Sequence, residues 1–293
     1  MNSSIELIRL IAVILIVFTH TRNDLEKGVA YFIIEKIPTF GTAILSIVSG
    51  YLYYKVSRRR EKLFQKKIKS LVVPYLIANL SVLTLVVLLN YIFGYNALNR
   101  LAFDSVIITD GIFALNSVPI NPPTYFIRDI FILFSFIALF TQKELKALLI
   151  IIPFMMFGTL ILRLDVAFLF LTGVLYAKVK DRFKKIYLVF LLVLLTFISA
   201  VYFPDYLKFP VTSLIFVLLV DIQFNFFNTG KYSYLLHLYH SPIIVVSYPL
   251  ISIFIQNYLL RVIAQIIIAL ASVYVIFLIV KRVRFLGILT GNR

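Results

Sequence analysis

Long apolar runs recur along this chain, separated by short polar or basic stretches. A helix needs about 20 apolar residues to cross the hydrocarbon layer of a bilayer. The pattern therefore predicts an all-α fold, a polytopic membrane helix bundle with about ten transmembrane helices. Only a short hinge holding Arg163 and Asp165 separates the fifth predicted span from the sixth. The predicted spans are 5–22, 38–56, 69–93, 123–141, 146–163, 164–180, 184–203, 209–229, 232–256 and 259–280.

The composition supports a membrane protein throughout its length. Hydrophobic residues make up 61% of the chain and charged residues 14%, against about 45–50% and 25% in soluble domains. Because the apolar surplus is spread evenly, we expect a single transmembrane domain over residues 1–293, with no separate soluble domain. The chain has no cysteine, so thiolate catalysis and disulfides are excluded.

The distribution of positive charge predicts the topology. With the N-terminus in the cytoplasm, the cytoplasmic loops carry about 20 Lys and Arg and the external loops about 7, as the positive-inside rule requires. Both termini are then cytoplasmic. Topology explains most of the net charge of +16, and we expect no nucleic-acid partner.

The first predicted span carries unusual polar residues. Arg9 and His20 are eleven positions apart, about three helical turns, which predicts one stripe and a separation of roughly 16 Å along the axis. An arginine within a span costs at least ~2.5–3.5 kcal/mol on insertion scales. Glu6, three residues before Arg9, can pair with it. The alternative is a purely structural ion pair with a histidine near the outer interface.

Two later spans also contain charged residues. Arg128 enters the fourth span from the outer side, next to Asp129, and either joins a polar network or snorkels to the interface. Asp221, within the predicted eighth span, is expected to be a buried acid without an assigned role.

The ninth span holds the other two histidines. His237 and His240 share a helix face, but no carboxylate has matching spacing, so we expect no metal. Pro242 should free a backbone carbonyl, which tends to occur beside cavities. The basic loop after the second span, with Arg59, Lys66 and Lys69, is either a topology anchor or a site for a phosphorylated ligand.

Taken together and in order, these segments resemble the membrane-bound acyltransferase family 3. The resemblance covers nearly the whole chain. Two elements depart from the family pattern: Tyr125 stands in place of Trp, and the last element has His237 in place of Tyr and Ser241 in place of Pro. The matching elements are Arg9 and His20 with the preceding acid Glu6, Ser49-Gly50-Tyr51, Lys66 through Tyr75, Tyr125 through Asp129, Leu171-Thr-Gly173, and Ser233 through Ser241.

The resemblance implies an integral O-acyltransferase of the cell (inner) membrane. Such an enzyme moves an acyl group, most often acetyl, from cytoplasmic acyl-CoA to a hydroxyl of a cell-surface glycan or its lipid-linked precursor. In that family the Arg and His of the first span form the core of the active site. The acceptor, the choice of acetyl or succinyl donor, and the presence of a homo-oligomer stay open.

A division of roles follows as a hypothesis. Arg9, helped by Arg59, Lys66 or Lys69, would hold the donor phosphates. His20 would act as general base on the sugar hydroxyl, or would carry the acyl group itself. Arg128 would stabilise the oxyanion or position the acceptor. Asp129, His237 and His240 would support these groups.

Two other function classes are compatible with these residues. Intramembrane Arg and His residues and a proline within a span also suit a transporter or flippase for a glycan or another anionic substrate. However, no second copy of the Arg9–His20 spacing occurs, and the spans do not form two matching sets. A structural partner in a glycan-assembly complex is the third interpretation, against which the intact Glu6, Arg9 and His20 argue.

Overall fold

The described part of the chain is helical. The computed structural model describes residues 3–58, 60–94, 101, 104–139, 153, 160–223 and 225–291, and within these residues it contains no β-strand. The predicted all-α fold is confirmed for this part of the chain. Most of the predicted span 146–163 lies outside the described residues.

The helices follow the apolar runs, with some changes at their ends. Short 3-10 turns precede or follow several of them, at Pro122–Thr124, Pro204–Tyr206 and Arg284–Thr290. The helices are α1 (Ser3–Phe18), α2 (Gly28–Ser57), α3 (Leu63–Ile92), α4 (Val106–Thr109), α5 (Tyr125–Leu139), α6 (Leu164–Val179), α7 (Lys185–Tyr202), α8 (Lys208–Leu219), α9 (Gly230–Phe254) and α10 (Tyr258–Arg282).

Five of these helices, α2, α3, α7, α9 and α10, are long and apolar enough to cross a membrane. The chain is therefore a multi-pass membrane protein. Helices α1 and α8 have 16 and 12 residues and are shorter than the predicted spans 5–22 and 209–229. The count of ten spans and the cytoplasmic position of the termini stay predictions.

The chain divides into two compact units that alternate along the sequence. The first contains residues 1–61 and 165–233, and the second contains residues 62–164 and 234–293. The first turn of α9 thus counts with the first unit and the rest of α9 with the second. The expectation of a single domain over the whole chain stays a prediction.

In the first unit, α2 and α6 pack with their backbones in close approach. The position of a Cβ on Gly50 is occupied by the backbone of Phe170, and that of a Cβ on Gly173 by the backbone of Ile47. Small residues at such contacts let membrane helices approach closely. Gly50 therefore lies at a helix-packing position, and the Leu171-Thr-Gly173 element contributes the reciprocal contact.

The second unit is built around α3, α5, α9 and α10. One of its apolar clusters consists of Val86, Leu101, Ile112 and Ile120, which packs the segment before α5 against α3. This arrangement brings the proline-containing stretch before α5 into the protein interior, where its polar groups need partners.

Candidate functional site

Helix α1 buries one apolar stripe and carries a carboxylate beside it. Its buried residues recur every three to four positions, which is the period of one helix face. Glu6 lies among them and is only 3% exposed. The buried residues of α1 are Ser4, Ile5, Glu6, Ile8, Ala12, Val13, Ile16 and Val17.

The predicted ion pair between Glu6 and Arg9 is confirmed. Arg9 Nη1 lies 3.4 Å from Glu6 Oε1, and the Arg9 side chain is 19% exposed. The other carboxylate oxygen, Glu6 Oε2, is buried and has no hydrogen-bond partner among the described residues. The pair is therefore long, with half of the carboxylate unused.

The first turn of α9 packs on Glu6, which the sequence did not indicate. Thr229 Oγ1 donates a hydrogen bond of 3.3 Å to the Glu6 carbonyl oxygen. A Cβ on Gly230 would lie 3.1 Å from Glu6 Oε2, so glycine at this position leaves space for the carboxylate. The Thr-Gly pair before a helical run was the only sequence signal available.

His20 lies beyond the end of α1, which corrects the expectation of one regular helix from Arg9 to His20. The His20 backbone N–H donates to the Val17 carbonyl at 3.1 Å, a tightened final turn. The hydroxyls of Thr19 and Thr21 donate to carbonyls of the last helical turn at 2.8 Å each. These threonines satisfy carbonyls that a continuing helix would use, so the helix stops before His20. The His20 ring is partly buried.

Arg128 does not snorkel to an interface. Its side chain is 9% exposed and its Nη1 donates to Asp129 Oδ1 at 2.8 Å. Nη1 also donates to the Leu160 carbonyl at 2.9 Å, and Nε donates to the Phe113 carbonyl at 3.3 Å. The alternative of a network is therefore confirmed, and the snorkelling interpretation is wrong. The reason is that two backbone carbonyls from distant segments supply acceptors inside the protein.

Asp129 is the fully buried partner in this network, with 0% exposure. Besides the bond from Arg128, it accepts backbone N–H bonds from Leu162 at 3.4 Å and from Arg163 at 3.1 Å. Both carboxylate oxygens are thus engaged. The Arg128–Asp129 pair ties α5 to the residues around 113 and to residues 160–163.

A buried hydrogen-bond network in the second unit escaped the sequence interpretation. Tyr75 donates its hydroxyl to the Ile112 carbonyl at 2.6 Å. Asn79 Nδ2 donates to the Tyr75 carbonyl at 2.9 Å and to Thr124 Oγ1 at 3.0 Å, and the Asn121 backbone N–H donates to Asn79 Oδ1 at 3.1 Å. Amides within apolar runs were the available signal.

Pro242 frees a backbone carbonyl, as predicted. A proline has no N–H, so the carbonyl four residues earlier, that of Leu238, loses its usual helical donor. Asn121 Nδ2 supplies the replacement at 2.8 Å. Pro242 also borders a cavity of about 440 Å³ between α3, α9 and α10, which agrees with the expected cavity beside the proline.

The two histidines of α9 are both buried. His240 is 0% exposed and its Nδ1 lies 2.6 Å from the Leu236 carbonyl oxygen, while His237 is 3% exposed. The His237 ring packs edge-on against Phe126 at 5.5 Å between centroids and lies 6.4 Å from the His240 ring. Among the described residues, no group of three His, Asp or Glu side chains is placed to hold a metal ion.

The basic residues divide between the two units. In the second unit, Lys66 and Lys69 are exposed. Arg59 lies outside the described residues. In the first unit, a cavity of about 320 Å³ is lined by Tyr54, Lys55, Val56 and Arg58. The Arg58 guanidinium lies 4.8 Å above the Tyr54 ring, and this cavity was not identified from the sequence.

Asp221 is neither within a helix nor buried, which corrects its expected position. Helix α8 ends at Leu219, and the Asp221 side chain is 41% exposed. Its carboxylate binds Lys180 at 3.1 Å and Lys185 at 3.5 Å. The two lysines flank the α6–α7 turn, so the acid joins this turn to the end of α8.

A second exposed ion pair lies on the same turn. Lys55 Nζ donates to Asp181 Oδ2 at 2.8 Å. This hydrogen bond holds the pKa of the Asp181 carboxyl below its usual range. The pair links the end of α2 to the turn between α6 and α7, all within the first unit.

Comparison with known proteins identifies the family. No curated protein and no solved structure matches the chain. A family model described as an acyltransferase domain, that of acyltransferase family 3, matches residues 2–281. This range contains Glu6, Arg9 and His20 as well as Arg128, Asp129 and the two histidines of α9. Since the match extends over almost the full length, the chain belongs to the acyltransferase 3 family and is a membrane acyltransferase.

Proposed function

We propose that this protein is an O-acyltransferase that moves an acyl group, in the first instance acetyl, from cytoplasmic acyl-CoA to a hydroxyl of a cell-surface glycan or of its lipid-linked precursor, in the cell (inner) membrane. The proposal is carried by one observation: the family membership together with the intact set of Glu6, Arg9 and His20 on and just after α1. In the family that the sequence resembles, the Arg and His of this set form the core of the active site.

His20 is the proposed proton acceptor. A sugar hydroxyl is a poor nucleophile at neutral pH, and a neutral imidazole can take its proton as the oxygen attacks the thioester carbonyl. The new ester C–O bond forms, the C–S bond breaks, and the proton goes on to the CoA thiolate. In the alternative course, His20 Nε2 or Nδ1 attacks the thioester carbonyl, the C–S bond breaks and CoA leaves as the thiolate. The hydroxyl oxygen then takes the acyl group from the ring nitrogen, and its proton goes to the thiolate.

Arg9 is the proposed contact for the donor. Its guanidinium is partly exposed and its carboxylate partner Glu6 holds it by a long contact of 3.4 Å. A guanidinium carries five N–H donors and forms paired hydrogen bonds with phosphate oxygens. The cavity beside Tyr54 and Arg58, and separately the exposed Lys66 and Lys69, are further candidate contacts for the diphosphate or the 3′-phosphate.

Arg128 is proposed to hold the segments around α5 in place. Its hydrogen bonds to Asp129 and to two backbone carbonyls fix the segments before and after α5. Because these hydrogen bonds engage the guanidinium, we favour a positioning role for Arg128 over direct stabilisation of the oxyanion. His237 and His240 are proposed to orient the acceptor.

The test is acyl transfer in membranes. Membranes from cells that make surface polysaccharide and produce the wild-type chain should release CoA and label the glycan when given acetyl-CoA with a labelled acetyl group. His20→Ala should lower both rates by a factor on the order of 10²–10⁴. The matched control is Asn23→Ala, three residues further along, which should keep the wild-type rate.

The result also separates the enzyme from a transporter. Labelled glycan at the wild-type rate with His20→Ala would contradict the assigned role of His20. Glycan uptake into vesicles without acyl-CoA, with no CoA release, would favour the transporter or flippase instead.

A further inference from the structure

The buried side chain of Asn121 takes over the hydrogen bond that Pro242 cannot make. In a regular α9 the N–H of residue 242 would donate to the Leu238 carbonyl, but proline has none. Asn121 Nδ2 donates to that carbonyl at 2.8 Å. Asn121 is 1% exposed and Leu238 is 0% exposed, so both groups lie in the protein interior, away from bulk water.

The backbone of Asn121 is held by hydrogen bonds on both sides, which fixes the position from which its side chain reaches α9. The Asn121 N–H donates to Asn79 Oδ1 at 3.1 Å, and the Asn121 carbonyl accepts from Thr124 Oγ1 at 2.7 Å. Turning the amide over would place Oδ1 against the Leu238 carbonyl oxygen, with two acceptors facing each other. The geometry therefore assigns Nδ2 as the atom that faces the Leu238 carbonyl, in the helical turn that lacks the hydrogen bond of Pro242 (the broken turn).

The broken turn carries both histidines of α9. Leu238 lies between His237 and His240, and the His240 ring is tied to the Leu236 carbonyl, one helical turn before it, at 2.6 Å. The path of the backbone from Leu236 to Pro242 decides where the second ring nitrogen of His240 points. The Asn121 amide, which lies outside α9, holds this backbone path although α9 lacks the hydrogen bond from residue 242 to Leu238.

We propose that Asn121 is a positioning residue for acyl transfer, which acts by replacing the missing N–H of Pro242 and so fixes His240. The proposal rests on the proposed function, in which His240 orients the acceptor. Asn121 does not itself contact the substrate in this scheme. Its effect on the reaction passes through the Leu238 carbonyl alone.

The experiment is a compensation test. Asn121→Leu keeps the size of the side chain but removes the donor, so a buried carbonyl loses its partner. In Asn121→Leu/Pro242→Ala, the N–H of residue 242 is restored and can donate to Leu238 along the helix. Pro242→Ala alone is the matched reference, since a carbonyl oxygen has two lone pairs and can accept from both groups.

The readouts are kcat and KM per folded molecule, with acetyl-CoA and the membrane's own glycan, and the pH profile of the rate. Folded protein is counted by size-exclusion chromatography in detergent. For Asn121→Leu we expect kcat to fall about tenfold and the pH profile to shift, with KM for acetyl-CoA within about twofold. For the double variant we expect kcat within about threefold of Pro242→Ala, with the pH profile restored.

Three results would overturn the proposal. The first is Asn121→Leu with the wild-type kcat and pH profile per folded molecule, because a purely structural bond lowers the amount of folded protein and nothing else. The second is a double variant that stays as slow as Asn121→Leu. The third concerns the case in which Asn121→Leu does not fold. In that case, a double variant with a clearly lower kcat than Pro242→Ala would overturn the proposal. If the wild type and Pro242→Ala both release no CoA from acetyl-CoA, the proposed function itself is wrong.

Discussion

Two arginine–carboxylate pairs, one in each unit, differ in how fully the protein uses them. Arg9 lies 3.4 Å from Glu6, and one oxygen of Glu6 has no partner among the described residues. Arg128 lies 2.8 Å from Asp129, and both oxygens of Asp129 accept backbone N–H bonds. Both arginines lie beside an acid within an apolar run, yet in the described part of the chain the Asp129 carboxylate is fully engaged and the Glu6 carboxylate is engaged through one oxygen.

This difference indicates different roles. A buried ion pair with all its hydrogen bonds satisfied holds chain segments together, and removing one partner leaves an isolated buried charge. Arg9 is partly exposed and its contact with Glu6 is long, so its guanidinium can bind an anionic ligand while Glu6 keeps its counter-charge. The Arg128–Asp129 pair is thus expected to determine stability, and the Glu6–Arg9 pair to determine donor binding.

The largest expected effect is on the second pair. Asp129→Ala should lower the free energy of unfolding by about 3–5 kcal/mol, because Arg128 stays buried without its counter-charge. The measurement is the thermal midpoint in detergent, followed by size-exclusion chromatography. The double variant Arg128→Met/Asp129→Leu removes both charges and should recover much of the loss. If Asp129→Ala has the wild-type midpoint, the pair is not the tie between segments that its geometry indicates.

The next effect is on the first pair and concerns binding rather than folding. Arg9→Lys keeps the charge but loses the paired hydrogen bonds of a guanidinium, so KM for acetyl-CoA should rise about tenfold while the thermal midpoint stays unchanged. Arg128→Lys is the matched control and should show the reverse, since a single ammonium cannot reach three acceptors in fixed positions. Equal losses of stability in both variants would remove the distinction between the pairs.

A smaller effect is expected for the acid of the first pair. Glu6→Gln keeps the shape beside Gly230 and removes the charge that orients Arg9, so KM for acetyl-CoA should change by a few-fold, roughly two to five. The corresponding change in the second unit, Asp129→Asn, should instead lower the thermal midpoint. A Glu6→Gln protein that fails to fold would show that this carboxylate is structural as well.

The smallest effect is expected at the exposed pair of Lys55 and Asp181. The hydrogen bond from Lys55 lowers the pKa of Asp181 in the folded protein. Its stabilisation is therefore present above the unfolded pKa, about 3.9, and is lost as the pH falls through the folded pKa. Lys55→Ala should leave the thermal midpoint near pH 7 almost unchanged, and any difference from wild type should vanish in acid. A difference that grows below pH 4 would contradict this account.

Pro242 shows how far the sequence reaches and where it stops. Its position predicted a freed carbonyl in α9, because the missing N–H is a property of the residue itself. The donor that satisfies this carbonyl, Asn121, comes from a segment 117 residues earlier. Nothing in the local pattern around Asn121 distinguishes it from other amides in loops before a helix.

Asp221 and His20 show that helix ends, too, could not be predicted from the sequence. Both were placed inside continuous spans because the surrounding residues are apolar. The tightened turn with Thr19 and Thr21 ends α1 before His20, and salt bridges to Lys180 and Lys185 take Asp221 out of α8. Helix ends depend on which side chains find backbone or charged partners, and hydropathy does not report this.

The sequence by itself determined that this is a helical membrane protein and that it carries the ordered motifs of the acyltransferase 3 family, Arg9 and His20 among them. Those properties are local, since hydropathy and motif spacing depend only on neighbouring residues. Only the tertiary structure decided which partners the charged groups find: Arg128 bonds to the Leu160 and Phe113 carbonyls, while one oxygen of Glu6 has no partner among the described residues. Every residue carries the same backbone carbonyl, so the sequence does not indicate which carbonyl accepts a hydrogen bond from which side chain. Packing of the folded chain determines these pairs.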